Sequence, residues 1–389
     1  MLINSLPTTF TCPACGLLCD DITPSHNSCS KSITFFGQAL GDSKPKIKGK
    51  NASLTEAINA AACIIKKSQQ VLFSGLSTDI TGFKSLYSLA KKTNGSLQHI
   101  NHVSMIRNLK VLQNSGWQTT TLGEVKNRAD LLLCIGTDVV SHNPRFFERF
   151  IDIEGMFTGG NISKREVIYL GVENPSKGLL SLNCKKADLT EVLGVLHALI
   201  LDKSLKIESV AGIKIEEILS LASKLRASKY AVLVWIANDM NFPHAELTIE
   251  LITKIVATLN QTTRAAGLPL GGSDGDTSIN NAHTWLTGLS LNNEIYTEHD
   301  ALVWVNSFSP EKMPPKTNVP IIVFGNSNTQ FAQTPDVFIP ISTPGLDCAG
   351  TLFRVDGSVI LPLKKIRDNS LPSLQHLIVL LSKVIGNEA

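Results

Sequence analysis

The sequence predicts an α/β protein, with parallel sheets flanked by helices and a small cysteine-bearing element at the start. Three observations carry this. Short β-branched, apolar runs recur at residues 71–76 (VLFSGL), 131–136 (LLLCIG), 167–172 (VIYLGV), 231–237 (AVLVWIA), 301–305 (ALVWV) and 321–324 (IIVF), the pattern of strands buried on both faces. Amphipathic stretches lie between these runs, and alternation of strand with helix favours parallel pairing. Half of the eight cysteines fall within the first thirty residues.

The elements follow in chain order. Residues 41–51 are rich in Gly and Lys and are expected to be a boundary. Residues 54–67 form a helix announced by SLTE, a capping box in which Ser53 and Glu56 satisfy helix-end amides. Further helices are expected at 189–201, 215–227, 245–259 and 374–385, and further boundaries at 155–164 and 313–318 (MPPKTN). The expected organisation is a cysteine-rich element over 1–50, a first α/β unit over 51–160, and a second over 161–389 whose C-terminal segment returns to the first. No internal repeat or low-complexity tract is evident.

At roughly 100–200 residues per domain, 389 residues imply two or three domains. With 43% hydrophobic residues and a mean hydropathy of +0.11, extended disorder is excluded. A net charge of +3 gives no sign of a nucleic-acid partner. The longest apolar stretch, 192–201, is interrupted by Gly194 and His197 and is shorter than the roughly 18 residues of a membrane span. The first thirteen residues lack a basic start and an apolar run, so the cytoplasm is the expected location.

Cys12, Cys15 and Cys19 have the spacing C-x2-C-x3-C, and Cys29 follows after nine intervening residues. A tight turn aims the first pair at one centre while the third closes from the next turn. Such a set suits either a 4Fe-4S cluster or tetrahedral zinc. The alternative is four reduced thiols that pack as small hydrophobes. Cys63, Cys134, Cys184 and Cys348 are isolated and read as packing residues.

The run CPACGLLCDDI (residues 12–22) resembles the opening of the B subunit of formylmethanofuran dehydrogenase, a molybdopterin-dependent oxidoreductase. TLGEVKNRADLLLCIGTD (121–138) is similar to that subunit's strand and turn around its pterin site, and HNPRF (142–146) to its histidine-proline-arginine element. GGSDGDTSINNAHTWLTG (271–288) resembles its glycine-bearing loop, and TPGLDCAGTLFRVDG (343–357) its C-terminal signature. The motifs keep their order over nearly the whole chain. The resemblance implies a molybdopterin-oxidoreductase-like fold and a 4Fe-4S cluster on Cys12, Cys15, Cys19 and Cys29.

At the family's redox centre the chain departs from the pattern. The position of the metal-binding cysteine or selenocysteine falls on Ser104, that of the following histidine on Met105, and that of the catalytic arginine on Gly271. A soft thiolate has become a hard hydroxyl, and the cation that would hold a carboxylate is gone. The bulk of Met105, Ile106 and Arg107 replaces a small turn. In an alternative alignment His99 or His102 stands in for the lost groups, although a lone histidine near a strand end is more often a hydrogen-bonded packing residue. His142, Arg145 and Arg128 read as fold-stabilising contacts. The loop 271–276 lacks phosphate-loop spacings, and its two aspartates oppose a phosphate, so it reads as a vestigial pterin loop.

A retained scaffold with an altered centre resembles the B subunit of the bacterial formyltransferase/hydrolase complex. The resemblance implies a non-catalytic chain without molybdopterin, molybdenum or tungsten. Its partners would be an amidohydrolase-type hydrolase subunit, a formyltransferase subunit and a C-type subunit, in a complex that moves a formyl group from tetrahydromethanopterin to a methanofuran-type amine and releases formate. Two alternatives are an active formylmethanofuran dehydrogenase B subunit with Ser104 as ligand, and a stand-alone protein with a pterin-type pocket.

Overall fold

A computed structural model describes residues 9–23, 28–157, 165–177, 180–291 and 298–386. They divide into two compact units. Unit 1 comprises the chain up to residue 102, residues 272–354, and the chain from 359; unit 2 comprises 103–271 with 355–358.

In unit 1 the strands are β1 (Lys46–Ile47), β2 (Lys50–Asn51), β3 (Val71–Ser77), β4 (Ser96–His99), β12 (Ala301–Asn306), β13 (Ile321–Gly325) and β14 (Val337–Pro340), ordered β2-β1-β14-β13-β12-β3-β4. All pairs are parallel except those of β1, which runs antiparallel to β14 and β2. A separate hairpin joins β15 (Gly350–Phe353) and β16 (Ile360–Leu363). The helices are α1 (Ser30–Phe36), α2 (Leu54–Lys67), α3 (Ile80–Lys92), α10 (Asp276–Thr287) and α11 (Leu374–Gly386). Ser53 caps α2 as read from the sequence, its hydroxyl accepting from Glu56 N at 3.2 Å.

Unit 2 holds five parallel strands in the order β11-β10-β5-β6-β7: β5 (Leu131–Ile135), β6 (Glu166–Leu170), β7 (Leu180–Leu182), β10 (Ala231–Ile236) and β11 (Ala265–Leu270). A small ribbon pairs β8 (Ser209–Val210) with β9 (Ile213–Lys214). The helices are α4 (His102–Ser115), α5 (Leu122–Arg128), α6 (Val139–His142), α7 (Leu189–Ile200), α8 (Ile215–Ala227) and α9 (Ala245–Leu259). Its core gathers Leu131, Leu133 and Ile135 of β5 with Leu233 and Trp235 of β10 and the inner faces of α7, α8 and α9.

The expected boundaries need correction. The chain leaves unit 1 after β4 and returns at Gly272, so β5 belongs with the second sheet, not with the first α/β unit. The reason lies in pairing: β5 is flanked by β6 and β10, and an apolar run does not encode its neighbour. The expected boundary at 155–164 lies partly outside the described residues. Residues 46–51 form an edge hairpin on β14, turned at Lys48 and Gly49, both with positive φ. The cysteine element is no separate domain either. Leu18 packs with Phe35 of α1, Phe308, Leu346 and Leu352 in one cluster of unit 1.

Candidate functional site

In both sheets the connections change direction at one point, between β3 and β12 in unit 1 and between β5 and β10 in unit 2. The crevice beyond the carboxyl ends of such strands is where open α/β sheets bind ligands.

In unit 2 that crevice is spanned by the chain's own side chains. Thr137, just past β5, donates to Asp239 Oδ2 at 2.6 Å, and His142 Nε2 meets Asp239 Oδ1 at 2.9 Å. Burial raises the Asp239 carboxyl, but the bonds from His142 and Thr137 outweigh it and hold it below the usual carboxylate range. Arg107, one turn into α4, donates to the Ala237 carbonyl at 2.9 Å and to Asn241 Oδ1 at 3.2 Å, which ties α4 to the loop after β10. Ser104 is buried in the first turn of α4 with Met105 beside it, and Gly271 directly follows β11.

The other basic residues have structural partners. Arg145 is buried and forks onto Glu148, with Nε 3.0 Å from Oε2 and Nη2 2.5 Å from Oε1. Arg128 pairs with Glu124 and lies 4.3 Å over the Phe157 ring.

In unit 1 the loop after Gly271 makes left-handed turns at Gly272, Asp274 and Gly275. A Cβ on Gly275 would lie 2.6 Å from the Thr78 carbonyl oxygen, so close backbone approach requires glycine there. Asp274 is buried and accepts from Lys312 Nζ at 2.5 Å, Ser309 Oγ at 2.5 Å and Ser77 Oγ at 3.2 Å. Burial raises this carboxyl, but the Lys312 ammonium and the bonds from Lys312 and Ser309 bring it below its ordinary value.

His99 is enclosed beside that group. Its Nδ1 accepts from Asn101 N at 3.0 Å and its Nε2 donates to the Asp274 carbonyl at 3.2 Å. Both nitrogens are committed, and burial pushes the imidazole down to about 4. His99 therefore has no ring nitrogen left to ligate a metal. His102 donates through Nδ1 to the His99 carbonyl at 3.0 Å. Asp276 accepts from Asn101 and Gly272 N, and desolvation pushes its carboxyl up to about 6.

The cysteine loop is closed by Cys12 N donating to the Cys19 carbonyl at 2.9 Å and by Leu18, at φ 45°, donating to Cys15 at 3.2 Å. Cys12, Cys15 and Cys19 are buried, and Cys29 caps α1. The Cys12 thiol is pushed up by burial first and then by the neighbouring sulfurs of Cys15, Cys19 and Cys29, which places all four in one electrostatic neighbourhood. Among the described residues, no three His, Cys, Asp or Glu side chains are assembled to hold a metal ion. Thiols are the donor type that a soft metal centre takes, but among the described residues the sulfurs are not drawn together to ligand positions. The sequence brought out the cysteines, Ser104, Met105, Gly271 and, as bulk in place of a small turn, Arg107, but not Asp239 or Lys312; the only signal for Lys312 was the excess negative charge of the loop 271–276.

The architecture, two largely parallel sheets flanked by helices, is molybdopterin-oxidoreductase-like, as the solved structures that share it show. Acetylene hydratase from Pelobacter acetylenicus superposes with a TM-score of 0.65 at 11% identity over 98% of this chain and 69% of its own. The resemblance to the B subunit of formylmethanofuran dehydrogenase is borne out by relatives. The B subunit of the tungsten-containing formylmethanofuran dehydrogenase 2 of Methanocaldococcus jannaschii is 23% identical over 423 residues, 96% of this chain and 97% of that protein. The B subunit of the formyltransferase/hydrolase complex of Methylorubrum extorquens is 24% identical over 339 residues, 81% and 89% respectively. The crystal structure of that complex with methylofuran contains a chain that matches with a TM-score of 0.75 at 21% identity, covering 88% of this chain and 99% of its own. No protein-family model matches the sequence.

Proposed function

We propose that this chain is the B subunit of a formyltransferase/hydrolase complex and serves it as a non-catalytic scaffold. In this reading it docks an amidohydrolase-type hydrolase subunit, a formyltransferase subunit and a C-type subunit, which move a formyl group from tetrahydromethanopterin to a methanofuran-type amine and release formate. The observation that carries it is the crevice of unit 2, where Arg107 and the Thr137–Asp239–His142 group bridge the strand ends; the alignment that the resemblance implies, with Ser104, Met105 and Gly271 at the redox positions, supports the same reading. Likeness to the Methylorubrum extorquens protein over more than four fifths of the chain supports the assembly. Among the described residues, no helix is long and apolar enough to cross a membrane.

Cys12, Cys15, Cys19 and Cys29 are the proposed holders of a 4Fe-4S cluster or zinc, which would add its binding free energy to the folded state. A second reading, an active tungsten or molybdenum dehydrogenase with Ser104 as ligand, draws on the likeness to the tungsten-containing relative.

Elemental analysis of the anaerobically purified complex separates the two readings. The scaffold reading expects iron or zinc near one centre per chain, no molybdenum or tungsten, and formate release unchanged by Ser104→Ala. Stoichiometric molybdenum or tungsten overturns it.

A further inference from the structure

A second crevice, the one in unit 1, contains space. A cavity of about 340 Å³ opens among the cysteine loop, α1, the 273–274 turn and the segment after β12. This volume is at the lower end of the range for small-molecule sites. It opens beyond the carboxyl end of β12, beside the switch point between β3 and β12, and open α/β sheets bind ligands in such a region.

The lining is rich in hydrogen-bond donors. Lys312 spends one N–H on Asp274 and is 36% exposed, so its ammonium retains donors for a second partner. Lys31, Ser30 and Thr34 of α1 face the same space. Asp274 also lines it, but its oxygens already accept from Lys312, Ser309 and Ser77. The Lys312 ammonium cancels its charge, so the objection that aspartates in this loop would repel an anion loses its main term. The remaining carboxylate of the lining, Glu311, is exposed.

We propose that this cavity binds a small organic oxyanion, a carboxylate or a phosphate monoester, held between the ammonium groups of Lys31 and Lys312. Every lining side chain described comes from this chain, so the test below can be read separately from the proposed assembly.

The test is calorimetric titration of the full-length chain with acetate and with inorganic phosphate, alongside mass-spectrometric mapping of lysine acetylation. The expected result is saturable binding of at least one probe, with Lys31 and Lys312 protected from acetylation. Tighter binding of phosphate than of acetate assigns a phosphate monoester, and the reverse a carboxylate. Lys31→Met, which leaves the buried Asp274–Lys312 pair intact, weakens binding about tenfold, as loss of one charge-assisted hydrogen bond implies. Glu311→Gln tightens it by a few-fold, because a like charge is removed from the rim; a misfolded variant would not produce this gain. No saturable binding of either probe up to about 10 mM, or binding indifferent to both substitutions, overturns the proposal.

Discussion

Asp274 in unit 1 and Asp239 in unit 2 both sit where a parallel sheet reverses the direction of its connections, yet they are compensated differently. The Asp274 side chain is 1% exposed and faces a full ammonium charge, that of Lys312. Asp239 is 16% exposed and relies on an imidazole and a hydroxyl. An ion pair with one end enclosed is costly to break, because the remaining charge has no water to return to. A half-exposed bond to histidine can be lost with solvent taking its place. The contrast teaches that one fold can turn the same crevice into a rigid electrostatic anchor beside an open cavity or into a soft internal tie.

The largest effect follows from breaking the anchor. Lys312→Met leaves Asp274 buried and unpaired and is expected to cost about 3 kcal/mol. Adding Asp274→Asn is expected to recover much of that loss in denaturant unfolding. If the double variant is no more stable than the single one, Asp274 is not the reason Lys312 matters.

The next effect is on pH dependence. With its carboxyl raised to about 6, Asp276 holds a proton in the folded state that the unfolded chain releases near 4, so its contribution fades as pH rises towards 6. His99, lowered to about 4, resists the proton that the unfolded chain takes up below its ordinary value of 6.5, so its contribution grows as pH rises through the same window. The two slopes oppose each other, so in the wild type Asp276 masks part of the His99 term. Asp276→Asn unmasks the His99 term, giving stability that climbs with pH by up to about 1.4 kcal/mol per pH unit. A flat profile in that variant would show that the two groups do not offset each other.

In unit 2, His142→Ala is expected to cost only about 1 kcal/mol. A loss as large as that of Lys312→Met would erase the distinction between the crevices. Smallest are the helix caps, Ser53→Ala on α2 in unit 1 and Thr121→Ala on α5 in unit 2, at about 0.5–1 kcal/mol each. If the units unfold in separate steps, each cap variant moves one step and leaves the other in place.

Much of the fold was legible in the sequence where local signals sufficed. Helices α2, α8 and α9 start and stop at the residues expected from their periodicity. β11 was missed because AAGLPL carries Gly267 and Pro269, and these are tolerated there because β11 forms the sheet edge. The partition into units was misjudged because β5 pairs with β10, which lies about a hundred residues further along the chain. The site divides in the same way. The cysteines announce themselves by spacing, whereas Asp274 and Lys312 are 38 residues apart and only folding brings them together.

The two-residue strands β1 and β2 carry a consequence for solubility. β14 is a wholly buried apolar run, VFIP, and without β1 it would present an open row of backbone donors and acceptors. Such a rim is a template on which another chain can add a strand and start a fibril. Lys46, Lys48 and Lys50 crowd the hairpin that covers it, and charge on so short a strand gives an incoming chain little to pair with. Residues 46–51 thus act as a guard against self-association.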